Sequence, residues 1–172
     1  MTDGRLDAFQ QAIKMERDGK LFYEQSAGRA ESKLAKKVFA ELVKAEEQHI
    51  VKLTQIFKSL ESSCEWPDID LTRGSAANAT NIFSNALKTI EERVKGSTTD
   101  IQALKMASEF ENNGIKYYQT LSEETDDSFL KKFFMLLVTE EGEHFVSILD
   151  TIEFLEDPQG YYSQRERGTM SF

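Results

Sequence analysis

Cysteine is almost missing from this 172-residue chain: Cys64 stands alone. That excludes an internal disulfide framework and any all-cysteine metal knot. Proline occurs only twice and glycine nine times, and the residues read in long unbroken runs. Such runs favour helices over short strands separated by turns. Positive charge is in deficit, with 21 Lys+Arg against 30 Asp+Glu and a formal net charge of −9. No basic patch stands out, so nucleic acid is not an expected partner. No apolar run approaches the roughly 18 residues of a membrane span. The first residues, Met1 to Arg5, are polar and lack the apolar stretch of a signal peptide. The expectation is one cytoplasmic domain, not bound to membrane and large enough to bury a core.

What is present is helical periodicity in four long segments. The first, about Asp3 to Arg29, carries Leu6, Phe9, Ile13, Phe22 and Tyr23. The second starts near Ser32, a plausible N-cap, with Leu34, Val38, Leu42, Leu53, Ile56 and Leu60. A third opens after Thr98-Thr99-Asp100 with Leu104, Ile115, Tyr118 and Leu121. The fourth follows Asp126-Asp127-Ser128 with Leu130, Phe134, Leu137, Ile148, Ile152 and Leu155. Steps of three and four mark core-facing helices. Residues 1–157 are expected to form one bundle, with Pro158 and Gly160 ending the pattern and 158–172 left as a polar tail. The second and third segments are joined by a long connection, residues 62–99, holding Cys64, Trp66, Pro67 and a short amphipathic piece from Ile82 to Val94 closed by Gly96. Helices of about 30 residues are roughly 45 Å long, and a connection of this size can travel that length. The predicted fold is all-α: a ferritin-like antiparallel four-helix bundle with a single crossover.

Ionisable residues interrupt the apolar stripes at mid-helix. The second segment reads Leu42, Glu46, His49, Leu53 and the fourth Leu137, Glu141, His144, Ile148; each contains Glu-x-x-His, which puts both side chains on one face. Glu16 and Glu111 break the first and third stripes. Glu16 and Glu111, Glu46 and Glu141, and His49 and His144 are all 95 residues apart. The chain therefore reads as a duplicated helical hairpin, each copy supplying one lone Glu and one Glu-x-x-His. A carboxylate buried alone costs several kcal/mol, so it protonates or finds a cation. Two divalent cations cancel four carboxylates, and oxygen with imidazole donors suits iron, with manganese or zinc as substitutes. One Glu from each of two helices plus Glu-x-x-His from the other two is the di-iron carboxylate arrangement of such bundles.

A core histidine is more often a packed, hydrogen-bonded residue than a ligand. Here both of the chain's histidines fall in matching motifs, and the metal interpretation is favoured. Tyr23 and Tyr118, seven residues after Glu16 and Glu111, lie on the ligand face; they either hydrogen-bond a carboxylate of the facing hairpin or pack as core aromatics. Gly19 and Gly114 either make room beside the metals or allow close helix approach. Glu47, Glu109, Glu140 and Glu143 are expected to be solvated, with Glu140 or Glu143 able to reach the edge of the site.

The repeated Glu16-x-x-Gly19-x-x-Phe22-Tyr23 and Glu111-x-x-Gly114-x-x-Tyr117-Tyr118, with the two Glu-x-x-His pairs, resemble the rubrerythrin branch of the ferritin-like superfamily over about residues 5–157. The resemblance implies a bridged di-iron site, with Glu46 and Glu141 bridging, Glu16 and Glu111 terminal, and His49 and His144 each on one iron. It implies an oxidoreductase of oxidative-stress chemistry that reduces hydrogen peroxide or dioxygen. Two departures stand out. A rubredoxin domain with paired Cys-x-x-Cys is impossible with one cysteine, so electrons are expected from a separate protein. The additional glutamate that typical members carry one turn after the third-helix ligand is Gly114 here. A homodimer is expected. The rivals are a non-enzymatic iron protein for storage or sensing, and a metal-dependent module that docks a partner through Cys64, Trp66 and the tail.

Overall fold

The computed structural model describes residues 4–62, 65–71, 82–83, 86 and 96–169, the last six by backbone alone. Among them lie five helices and no strand: α1 Gly4–Arg29, α2 Lys33–Ser62, α3 Thr98–Glu124, α4 Ser128–Glu156 and α5 Pro158–Thr169. The predicted starts match. Ser32 Oγ accepts from Ala35 N at 3.3 Å, and Asp127 Oδ1 accepts from Phe129 N and Leu130 N. At α3 the cap is Ser97, one residue before the expected run, accepting from Asp100 N. Each satisfies a backbone donor that a helix start leaves open.

Helix directions follow from cross-helix contacts. Tyr23 meets Glu111 while Tyr118 meets Glu16, so α1 and α3 are antiparallel. α2 and α3 begin together, because Asp100 of α3 accepts from Glu31 N and Ser32 N at 3.1 and 2.7 Å. α2 and α3 therefore run the same way. A common direction of these two helices agrees with a ferritin-like bundle. After α2, Trp66 stacks on Phe129 at the start of α4, 5.1 Å between ring centroids. At the opposite end Phe83 packs between Phe154 and Tyr161. Most of the predicted Ile82–Val94 piece, and Cys64, lie outside the described residues.

Asp100 is 2 % exposed, and it fixes the α1–α2 turn to the start of α3. Asp100→Ala leaves two backbone N–H groups without their acceptor, and denaturant unfolding is expected to show a loss of about 1–3 kcal/mol. Gly96 N donates to Leu155 O at 2.9 Å. A Cβ there would lie 2.8 Å from Leu155 Cβ, so this approach requires glycine. Melting of Gly96→Ala is expected to show destabilisation.

One expectation is corrected. The stretch from Pro158 is not a polar tail but begins helix α5. Proline stops a helix from within yet suits its first turn, and Asp157 Oδ1 accepts from Gly160 N at 3.0 Å as the cap. Tyr161 is buried against Phe83 and Phe154. The stripe of α1 also shifts. Its buried line is Phe9, Ala12, Glu16, Gly19, Tyr23 and Ser26, while Ile13 and Phe22 flank it half-buried. The facing line on α3 is Leu104, Ala107, Glu111, Gly114 and Tyr118.

Candidate metal centre

Two apolar clusters fill the ends of the bundle. One gathers Leu34, Val38, Phe39, Leu42, Leu104, Ile148 and Phe154; the other gathers Phe9, Leu53, Ile56, Leu130, Phe134 and Leu137. Between them lies a polar layer of Glu16 from α1, Glu46 and His49 from α2, Glu111 from α3, and Glu141 and His144 from α4. Each is at most 7 % exposed. The structure brings together all six residues picked out by the 95-residue repeat. The two imidazoles face each other with ring centroids 5.6 Å apart.

Donor atoms fall into two overlapping sets, each within 4.8 Å of one another: Glu16, Glu46, His49 and Glu141; and Glu46, Glu111, Glu141 and His144. Glu46 and Glu141 belong to both. His49 Nδ1 lies 3.2 Å from Glu16 Oε2, 3.1 Å from Glu141 Oε1 and 3.6 Å from Glu46 Oε2. His144 Nδ1 lies 3.6 Å from Glu111 Oε2 and 3.5 Å from Glu141 Oε2. The two tyrosines act across the bundle: Tyr23 OH donates to Glu111 Oε1 at 2.6 Å, and Tyr118 OH donates to Glu16 Oε1. Each phenol steadies the lone glutamate of the other hairpin and leaves that carboxylate's second oxygen turned inward. Burial raises both phenols well above their ordinary range, and the neighbouring carboxylates add to it.

Electrostatics show what the layer costs without a cation. Burial, then the charges of Glu16 and Glu141, pushes Glu46 well above the usual carboxylate range. Burial and Glu141 push Glu111 up to about 8. Glu141 goes the other way: burial opposes its charge, but a hydrogen bond with Glu111 and the charge of His49 hold it well below 4.5. His144 is raised to about 10, because Glu111 and Glu141 outweigh the burial that would lower it. Protons thus do the work of cations in this layer. His144 Nδ1 and Glu111 Oε2 face each other too far apart for a hydrogen bond, and among the described residues neither has a hydrogen-bond partner. Buried polar atoms are rarely left so. Together with the oxygen and imidazole donor set, they fit a cation between them. Loading metal near pH 7 must displace the protons on His144 and Glu111. About two or more per chain are expected to appear in weakly buffered solution, with affinity falling as pH is lowered.

A family model described as rubrerythrin matches residues 7–103. The chain belongs to the rubrerythrin family. The chain has no significant match among curated proteins or among solved structures. The rubrerythrin match spans Glu16, Glu46 and His49; Glu111, Glu141 and His144 lie beyond it and join the site through the geometry above. Membership points to a di-iron protein, and the buried carboxylate and imidazole groups can bind metal. No helix among the described residues is long and apolar enough to cross a membrane.

Beyond the six, the remaining glutamates divide. Glu47 pairs with Lys20 at the surface, Glu109 is exposed and Glu143 is half-buried. Glu140 is no solvated charge: its Oε2 lies 3.1 Å from His49 Nε2. Its two oxygens accept from Lys52 Nζ at 3.1 and 3.0 Å. His49 and Lys52 hold its carboxyl down at about 2 despite its burial. Lys52 gave no signal in the sequence, since a lysine three residues after a histidine is unremarkable until α4 is laid beside it.

Proposed function

We propose that this chain is a non-haem di-iron oxidoreductase, reducing hydrogen peroxide or dioxygen with electrons from a separate donor protein. The observation that carries it is the pair of overlapping donor sets sharing Glu46 and Glu141. Two carboxylates common to both sets suit bridging, Glu16 and Glu111 suit terminal ligation, and each histidine serves one ion. Bound iron would supply two electrons to the oxidant and Lewis acidity.

The protein's own residues supply the rest. Tyr23 and Tyr118 hold Glu111 and Glu16 in orientation through the hydrogen bonds described above. Apolar clusters above and below the layer limit water. Met15, Gly19, Tyr23, Phe110 and Gly114 line a narrow pocket that reaches Glu16, Glu46, Glu111 and Glu141, with a volume of about 20 Å³. A space so narrow admits small molecules and excludes bulky substrates, which is compatible with peroxide or dioxygen. A Cβ at Gly114 would lie 3.6 Å from Glu141 Cγ and Cδ. Any side chain there would project towards the cluster, so glycine at 114 keeps a fifth carboxylate out and leaves the pocket open.

Mixing the anaerobic diferrous protein with peroxide in a stopped-flow instrument is expected to give oxidation much faster than free ferrous ion in the same buffer. Equal rates would overturn the oxidoreductase assignment and leave a binding protein. Iron storage is the second candidate, and α5 bears on it: a fifth helix, unforeseen in the sequence, is an element from which a cage could be built. Size-exclusion chromatography separates the two, since a dimer has no cavity for mineral.

A further inference from the structure

We propose that the two metal positions are unequal, and that Glu140, braced by Lys52, makes the His49 position the tighter one. This rests on the metal-binding function proposed above. In the duplicated chain every ligand has a twin 95 residues away, but this pair has none. The position matching Glu140 is Ala45 and the position matching Lys52 is Ser147. A methyl group thus stands where a carboxylate would be needed behind His144.

The geometry shows what the pair does. Lys52 Nζ holds both oxygens of Glu140, which fixes the carboxylate plane, and Oε2 then lies 3.1 Å from His49 Nε2. The side chains of Lys52 and Glu140 are only 17 % and 16 % exposed, so water screens this pair less than a surface one. A carboxylate on the outer nitrogen keeps the proton there, sets the ring's rotation and leaves Nδ1 to face Glu16, Glu46 and Glu141. It also makes that nitrogen a stronger donor. Among the described residues the carboxylates that pair with His144 do so at Nδ1, at 3.5 and 3.6 Å, and its ring must be oriented when the metal arrives. One half of the centre is preorganised and the other is assembled on binding.

Glu140 is therefore a positioning residue, and metal affinity tests it without turnover. The full chain would be titrated anaerobically with Co(II), followed by calorimetry and by the visible absorption of the bound ion. Two steps are expected, the first about 10–100-fold tighter, the range attributed to such outer partners. His144→Ala should keep the tight step and lose the weak one, and His49→Ala the reverse. Glu140→Ala should weaken the first step alone, until the two constants nearly coincide, with the helical circular dichroism unchanged. Ala45→Glu, which places a carboxylate behind His144, should tighten the second step. The proposal is overturned by two equal steps in the wild type, by Glu140→Ala weakening both steps alike, by loss of the tight step in His144→Ala, or by no gain in Ala45→Glu. Failure of the wild type to bind Co(II) at all would remove the metal centre itself, a result distinct from equal binding at two positions.

Discussion

Glu46→Ala and Glu141→Ala are each expected to abolish binding at both metal positions, whereas Glu16→Ala and Glu111→Ala should each abolish only one. The difference follows from the donor sets. Glu46 and Glu141 are common to both, and Glu16 and Glu111 belong to one each. Removing a shared carboxylate takes a donor and a negative charge from both ions at once, so the second cannot compensate for the first. Metal analysis after anaerobic iron loading and desalting would show a fall from about two ions per chain to fewer than one for the shared glutamates, and to about one for the others. Glu47→Ala is the control. Glu47 adjoins Glu46 in sequence but pairs with Lys20 at the surface, so its loss should leave the stoichiometry intact. Two ions retained by Glu46→Ala would refute the shared-ligand arrangement, because no other carboxylate among the described residues belongs to both sets.

The polar layer was legible in the sequence because burial of charge is costly and therefore patterned. A glutamate or histidine in the middle of an apolar stripe stands out, and the constant spacing of 95 tied the two halves together. Large side chains misled the reading of the α1 stripe. Ile13 and Phe22 are the more hydrophobic, yet the buried line of α1 runs through Phe9, Ala12, Gly19 and Tyr23, with Ile13 and Phe22 half-buried beside it. Helix α5 is hidden in the sequence because proline ordinarily stops a helix, although Asp157 just before it supplies a cap. Glu140 and Lys52 were out of reach for a different reason. Their contact spans 88 residues and two helices, and it has no counterpart in the repeat, so periodicity could not reveal it. The connection between α2 and α3 was legible only as a length; the common direction of α2 and α3 came from Asp100 holding the start of α2.

Metal loading is expected to raise the melting temperature by roughly 10–30 °C, and the gap should widen as pH rises from about 6.5 to 8. An ion bound only by the native state stabilises by about 3–4 kcal/mol when present at 100 to 1,000 times its dissociation constant. Two such ions contribute about twice that, and each kcal/mol is worth about 2–4 °C in a domain of this size. The pH dependence comes from the metal-free protein. Glu111 is raised from 4.5 to about 8 and His144 from 6.5 to about 10, so the native state holds these protons more firmly than the unfolded chain. Their contributions are complete below pH 4.5 and 6.5 respectively and are lost as pH climbs through about 8 and 10. Between 6.5 and 8 both are being lost together. Bound cations replace those protons, so the loaded protein escapes that loss, and affinity for the ions grows as the competing protons leave. Differential scanning calorimetry of loaded and metal-free protein at several pH values would read the gap directly. A gap that narrowed over this interval would mean that protons and metal do not compete for the same side chains. Glu46→Leu supplies the complementary result: with one buried carboxylate replaced by an apolar side chain, the metal-free variant should melt at or above the metal-free wild type, and iron should no longer shift it.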